Sequence, residues 1–234
     1  MRYDTLLFDI DGTLLDFLRS EKEALKDALS ELGIAADDGM LKAYSKINDS
    51  LWKLLERGEL DRETLKYRRF EMFAAEYGLK IDSKKLADLY VTALSKKGYV
   101  FDGAIELCQK AKKIAKTYIV TNGTLWIQES RLERSGLLPY FDGVFISEKL
   151  GCAKPDPMFF EKAAAEIGNF SKSKAVIIGD SLSSDIAGGI AYGIDTVWYN
   201  PTEKSVPEEF AGKITLVARN YGEIYDFILG GGNE

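Results

Sequence analysis

The chain has 234 residues, with 46% hydrophobic and 12% aromatic side chains, enough to build one or two packed domains and far from a disordered composition. Its 31 Lys and Arg against 37 Asp and Glu leave a net charge of −6, which excludes the basic footprint of a general nucleic-acid binder. Histidine is absent, so Ser-His-Asp triads, Cys-His pairs and His-ligated zinc are excluded, and acid–base work falls to carboxylates, Lys, Tyr or Cys.

The first predicted strand is the apolar run Thr5–Ile10. About a hundred residues then follow without a strand pattern, and four amphipathic helices fill most of that gap. The first covers Ser20 to Leu32, opens on a Ser20–Glu23 capping box and stops at Gly33. A second carries Met40, Leu41, Tyr44, Ile47, Leu51, Leu54 and Leu55 on one face and stops at Gly58. Leu65, Phe70, Phe73 and Tyr77 mark a third, stopped by Gly78, and Leu86, Leu89, Tyr90, Ala93 and Leu94 mark a fourth. Four such helices joined by short loops bury their faces against one another as a bundle.

Five further apolar runs read as buried strands: Tyr118–Thr121, Val144–Ser147, Ala175–Ile178, Thr196–Tyr199 and Ile214–Ala218. They alternate with helical patterns, the signature of a parallel sheet. The predicted fold is α/β, a Rossmann-like parallel sheet core of residues 1–16 and 93–234, with a helical-bundle domain inserted over 17–92. No proline occurs before Pro139, which suits the helix-rich first half. The tail Gly230–Glu234 is expected to be disordered.

The two cysteines, Cys108 and Cys152, have no C-x-x-C spacing. They form neither a disulfide framework nor a Cys-type zinc site, and fit a helix-packing and a loop residue in a reducing, cytoplasmic setting. No apolar run reaches membrane-spanning length, and Asp9 and Asp11 interrupt the opening stretch too early for a signal peptide.

In an open parallel sheet, ligands bind at the carboxyl ends of the strands. Four reactive clusters fall there: Asp9-Ile10-Asp11-Gly12-Thr13, Thr121-Asn122-Gly123, Lys154-Pro155-Asp156-Pro157, and Gly179-Asp180-Ser181 with Asp185 beyond. Taken singly, each reads as an ordinary turn or helix cap. Together they bring carboxylates, a hydroxyl and a lysine to one sheet edge. Carboxylates so gathered repel and lose hydration unless a cation and an anionic ligand complete the set.

These four motifs, in this order, resemble the haloacid dehalogenase-like hydrolase superfamily, over nearly the whole chain and including the helical cap after the first strand. Phe8–Phe17, Ile47–Trp52 and Ile177–Ile186 are most similar to the bacterial pyrimidine 5′-nucleotidases, the house-cleaning nucleotidases of that superfamily. Gly12 and Asp102 depart from the nucleotidase pattern, Gly12 in the direction of the wider superfamily.

The resemblance implies that Asp9 is a nucleophile forming an aspartyl-phosphate and that Asp11 is the acid, then the base. Thr121 and the Asn122 backbone amide would bind phosphoryl oxygens, and Lys154 would offset their charge. It implies a Mg²⁺ site from the Asp9 and Asp180 carboxylates and the Asp11 carbonyl, with Asp185 positioning a bound water or Lys154. Dehalogenases lack an acid at the position of Asp11, so its presence favours phosphoryl chemistry. The implied partner is a small phosphate monoester, a nucleotide in the preferred reading, with no nucleic acid and no membrane, on a monomer or homodimer.

The cap would choose the substrate, with Phe17, Asn48 and Trp52 as candidate contacts. Tyr44, Asn48 and Trp52 share a helix stripe, and Tyr44 reads more naturally as packing. Arg68 and Arg69 either reach a sugar or phosphate or, in the preferred reading, lie on a solvated face, and Trp126 either lines the entrance or packs. Alternatives with the same core are a phosphatase for sugar phosphates or phosphoglycolate and a phosphosugar mutase. A catalytically silent binding protein is a third class, disfavoured because Asp9, Asp11, Lys154 and Asp180 are all present.

Overall fold

A computed structural model describes residues 2–230, so the expectation of disorder for 231–234 lies outside the described residues. Six parallel strands form one sheet: β1 (Thr5–Phe8), β2 (Lys116–Thr121), β3 (Gly143–Ile146), β4 (Ala175–Gly179), β5 (Asp195–Tyr199) and β6 (Leu216–Ala218). Their spatial order is β3-β2-β1-β4-β5-β6. The chain therefore winds outward from β1 to one side, then restarts beside β1 at β4 and winds to the other. That switch point, between β1 and β4, is where such sheets open a crevice at their carboxyl edge.

Alternation along the strands builds a core on each face. Leu6, Phe8, Ile119, Val176 and Ile178 point to one side, where α5 (Ala104–Lys112) and α10 (Tyr221–Leu229) cover them. Leu7, Tyr118, Val120, Ala175 and Ile177 point to the other, under α8 (Pro157–Glu166) and α9 (Ala187–Tyr192). Burial on both faces explains why these strands are nearly continuous apolar runs.

Between β1 and α5 lie α1 (Phe17–Glu31), α2 (Asp38–Glu56), α3 (Arg62–Glu76) and α4 (Ser83–Leu94), packed on a cluster of their own. Each starts on an aspartate, Asp16, Asp37, Asp61 and Asp82, whose carboxylate accepts from a backbone amide of the first turn. Gly33, Gly58 and Gly78 follow the ends of α1, α2 and α3 as the pattern predicts. Tyr44 stacks on Phe70 at 5.3 Å and meets Phe73 edge-on at 5.8 Å, so it belongs to this core.

The strands β2 to β6 differ from expectation by one or two residues at one end or both, and two further boundaries differ for a local reason. Helix α1 begins at Phe17, because the Asp16 side chain caps Arg19 N at 2.9 Å; Ser20 lies one turn inside and donates to the Asp16 carbonyl. β1 ends at Phe8, because the Ile10 carbonyl is taken by the amides of Leu14 and Leu15 as the chain reverses.

Candidate active site

Strand register sets the site. Phe8 is level with Ile119 and Ile178, so the chain leaves the sheet at Asp9 on β1, just past Thr121 on β2 and at Asp180 after β4. Gly12 turns the chain at φ +88°, and a side chain there would run into the Asp180 carboxylate. A side chain at Gly179 would likewise run into the carboxylate of Asp185.

Asp9 is buried. Its Oδ1 accepts from Lys154 Nζ at 2.8 Å and its Oδ2 from Thr13 Oγ1 at 3.2 Å. Lys154 is 1% exposed and donates also to Asp185 Oδ1 at 2.6 Å and to the Val120 carbonyl at 2.8 Å. The other Asp185 oxygen accepts from Ser181 N at 3.1 Å, so that carboxylate anchors both the lysine and the turn after β4. Asn122 clamps the lysine from the opposite side: its Oδ1 accepts from Lys154 N and its Nδ2 donates to Lys154 O, at 2.9 and 2.8 Å. Thr13, the last residue of the first motif and one to which the sequence assigns no role, orients the Asp9 carboxylate.

Burial, and then the charge of Asp185, push Asp9 well above the ordinary carboxylate range, against the pull of Lys154. The same two causes push Asp180 up to about 7. Burial works to neutralise Lys154, but Asp185 and Asp9 more than offset it and hold the ammonium. One cation thus faces three carboxylates, and the cluster is short of positive charge. Oxygens of Asp9, Asp180 and Asp185 all lie within 4.8 Å of one another. A donor set made of carboxylate oxygens alone, with surplus negative charge, fits a hard divalent cation.

Asp11 turns towards α6 (Leu125–Ser135). Its Oδ1 accepts from Arg131 Nη1 at 2.6 Å and its Oδ2 from Gln128 Nε2 at 2.8 Å. Gln128 Nε2 also donates to Thr121 Oγ1 at 2.8 Å, which joins the acid to the threonine of the second motif. The sequence does not single out either α6 residue, since a Gln and an Arg on a helix carry no motif of their own; the spacing i, i+3 in the helix that follows Thr-Asn-Gly is the one signal they offer.

A cavity of about 510 Å³ runs from Asp9 to the inner side of α1 and α2, within the size range of small-molecule sites. Phe17, Asn48 and Trp52 all line it, as do Glu21 and Arg69. Asn48 is spent within the helices: its Nδ2 donates to Glu21 Oε1 at 2.7 Å, and its Oδ1 accepts from Arg69 Nη1 at 2.9 Å. Arg69 is therefore buried rather than solvated, because its charge is answered through Asn48 by Glu21; Arg68 is the exposed one, beside Glu71. Trp126 is 48% exposed and is not among the cavity walls. Cys108 is buried on α5, and Cys152 is half-buried in a loop. The helices reach the core through Arg62, which donates to the Asn122 carbonyl at 3.1 Å, and Glu56, which accepts from Ser183 Oγ at 2.7 Å. Among the described residues, no helix is long and apolar enough to cross a membrane.

A family model described as haloacid dehalogenase-like hydrolase matches residues 3–193. The pyrimidine 5′-nucleotidase PynA of Streptococcus pneumoniae is 43% identical over 202 residues, 86% of this chain and 85% of PynA. The pyrimidine 5′-nucleotidase YjjG of Escherichia coli is 33% identical over 216 residues, 92% of this chain and 94% of YjjG. A crystal structure of the HAD-hydrolase YfnB from Bacillus subtilis bound to magnesium superposes with a TM-score of 0.92 at 37% identity, covering 97% of this chain and 99% of that one.

Proposed function

Because the chain belongs to the haloacid dehalogenase-like hydrolase family, we propose that it is a Mg²⁺-dependent phosphatase of nucleoside 5′-monophosphates, with a preference for pyrimidines, working through an aspartyl-phosphate on Asp9. The observation that carries the reading is the pairing of Asp9, fixed by Lys154 and Thr13, with a second carboxylate, Asp11, at one end of a cavity walled by the helices. The nucleotide preference is supported by PynA and YjjG, both named pyrimidine 5′-nucleotidases.

The Asp9 carboxylate attacks phosphorus, and the bond to the ester oxygen breaks while Asp11 gives that oxygen a proton. Asp11, now a carboxylate, takes a proton from water as the water attacks the same phosphorus, which frees Asp9 and inorganic phosphate. Lys154 keeps the nucleophile oriented and sets a positive charge beside the phosphoryl group. Thr121 offers its hydroxyl at the same edge. Asp9, Asp180 and the Asp11 carbonyl would hold the cation, with Asp185 fixing Lys154; when bound, the cation offsets the charge of the phosphate dianion. Residues 17–92 act as the cap that excludes water and selects the leaving group.

Phosphate release from a panel of monoesters with Mg²⁺ tests this, with Asp9→Asn as the control. Turnover should favour dUMP, dTMP and UMP over purine nucleotides and sugar phosphates, and Asp9→Asn should lower kcat by about 10⁴-fold or more, as loss of other nucleophiles does. Better turnover of sugar phosphates would discard the nucleotide preference; an active Asp9→Asn protein would discard the mechanism.

A further inference from the structure

Resting on the reading of Asp11 as acid and base, we infer that Arg131 is a positioning residue that fixes the Asp11 carboxylate and takes its own place from the two chain crossings into the helical unit.

Arg131 is 1% exposed and heads the largest fully buried side chains. A guanidinium taken out of water needs a charged partner in good geometry. Among the described residues, its acidic partner is Asp11, at 2.6 Å. Gln128, one turn earlier on α6, grips the second oxygen of the same carboxylate, and its Oε1 accepts from Arg131 Nη1 at 2.9 Å. A carboxylate held at both oxygens by two buried donors has a fixed orientation, which an exposed ion pair does not provide.

The other end of the guanidinium is tied to the crossings. Arg131 Nε donates to the Lys97 carbonyl at 3.0 Å, in the segment that returns from α4 to the core. Its Cζ lies 5.5 Å from the ring centre of Phe17, the first residue of α1, where the chain leaves the core. Ser130, the preceding residue, donates to the Ser95 carbonyl at 2.9 Å, which fixes α6 to the same returning segment. Among the described residues, Arg131 Nη2 is buried without a hydrogen-bond partner. Proton delivery depends on such placement, since a displacement of about 1 Å can lower a rate by about 10²-fold.

The test separates positioning from packing by leaving group. Arg131→Met and Arg131→Lys would be compared with wild type in single turnovers with Mg²⁺ and enzyme in excess, following release of the alcohol. The substrates are dUMP, whose alkoxide needs a proton, and p-nitrophenyl phosphate, whose phenolate leaves without one. Arg131→Met should lose about 10²-fold or more on dUMP and less than about tenfold on p-nitrophenyl phosphate, with the half-saturating enzyme concentration for each little changed, because only the former needs the acid. Arg131→Lys, which keeps one charged donor, should recover part of the dUMP rate and carries the same comparison if Arg131→Met does not fold. Equal losses on the two esters, or no loss on dUMP, would overturn the inference alone. A wild-type protein inert towards both esters would instead overturn the phosphatase reading and this inference with it.

Discussion

Lys154 and Asp9 meet at 2.8 Å, Nζ to Oδ1, in a place where the lysine side chain is 1% and the aspartate side chain 9% exposed. Removing one partner of a buried pair leaves an uncompensated charge, at a cost of about 3–5 kcal/mol. Here the loss is doubled in kind, since Asp185 is left unpaired too. Lys154→Met should therefore lower the metal-free Tm by about 6–20 °C, given roughly 2–4 °C per kcal/mol for a chain of this size. The loss should be smaller in acid, where the carboxylates can take up protons. Turnover should fall by about 10²-fold or more, as when other donors to a developing phosphoryl charge are removed. Calorimetry of a variant that melts with wild type and turns over normally would show that the pair is dispensable.

Asp180 leads to a prediction about pH and cation together. Its carboxyl is pushed up to about 7, by burial first and by Asp185 next, from an ordinary value of 3.8. The unfolded chain therefore releases this proton before the folded one does. The stability Asp180 contributes is fully present below the ordinary value and is lost as pH rises towards 7. A divalent cation binds the ionised carboxylates, so it reverses the loss where they are ionised. Added Mg²⁺ should raise the Tm more at about pH 7.5 than at about pH 5, and EDTA should abolish the difference. An equal or larger shift in acid would show that the cation does not bind the ionised cluster of Asp9, Asp180 and Asp185.

The sheet was legible because buried parallel strands are apolar without interruption, and the edge that carries chemistry was legible because strand ends can be counted from them. Asp9, Thr121, Lys154, Asp180 and Asp185 all reach one cavity for that reason. Less legible was everything that depends on a partner far along the chain. Asp11 and Arg131 are 120 residues apart, and Glu21 and Asn48 are 27. An arginine with a helix-surface spacing looks solvated until its carboxylate is found, which is why Arg69 reads as exterior and Arg131 draws no reading at all. The start of α1 failed for a local reason: Asp16 and Ser20 are both good caps, and the Ser20–Glu23 box masks the aspartate that takes the amide.

Asn48 and Trp52 lie one turn apart on the same cavity wall, yet they should fail in opposite ways. Asn48 is 2% exposed, and its amide joins Glu21 to Arg69, both buried and ionisable. Asn48→Leu would set a hydrocarbon between them, leaving Arg69 without its acceptor and Glu21 with Ser45 alone, a loss of about 2–4 kcal/mol. The Tm should drop by roughly 4–16 °C, while the ranking of substrates stays as in wild type. Trp52 is half-buried, with Arg62 5.9 Å from its ring, and it lines the cavity. Stacking of a base on such a ring contributes about 1–3 kcal/mol. Trp52→Leu keeps the apolar contact with neighbouring helices, so the Tm should move little, but kcat/KM for dUMP relative to glycerol phosphate should fall by about tenfold or more. Parallel melts and kinetics on the two variants decide the matter. A shift of selectivity in Asn48→Leu without a change in Tm would make the asparagine the reader of the base, and an unchanged ratio in Trp52→Leu would free the indole of that role.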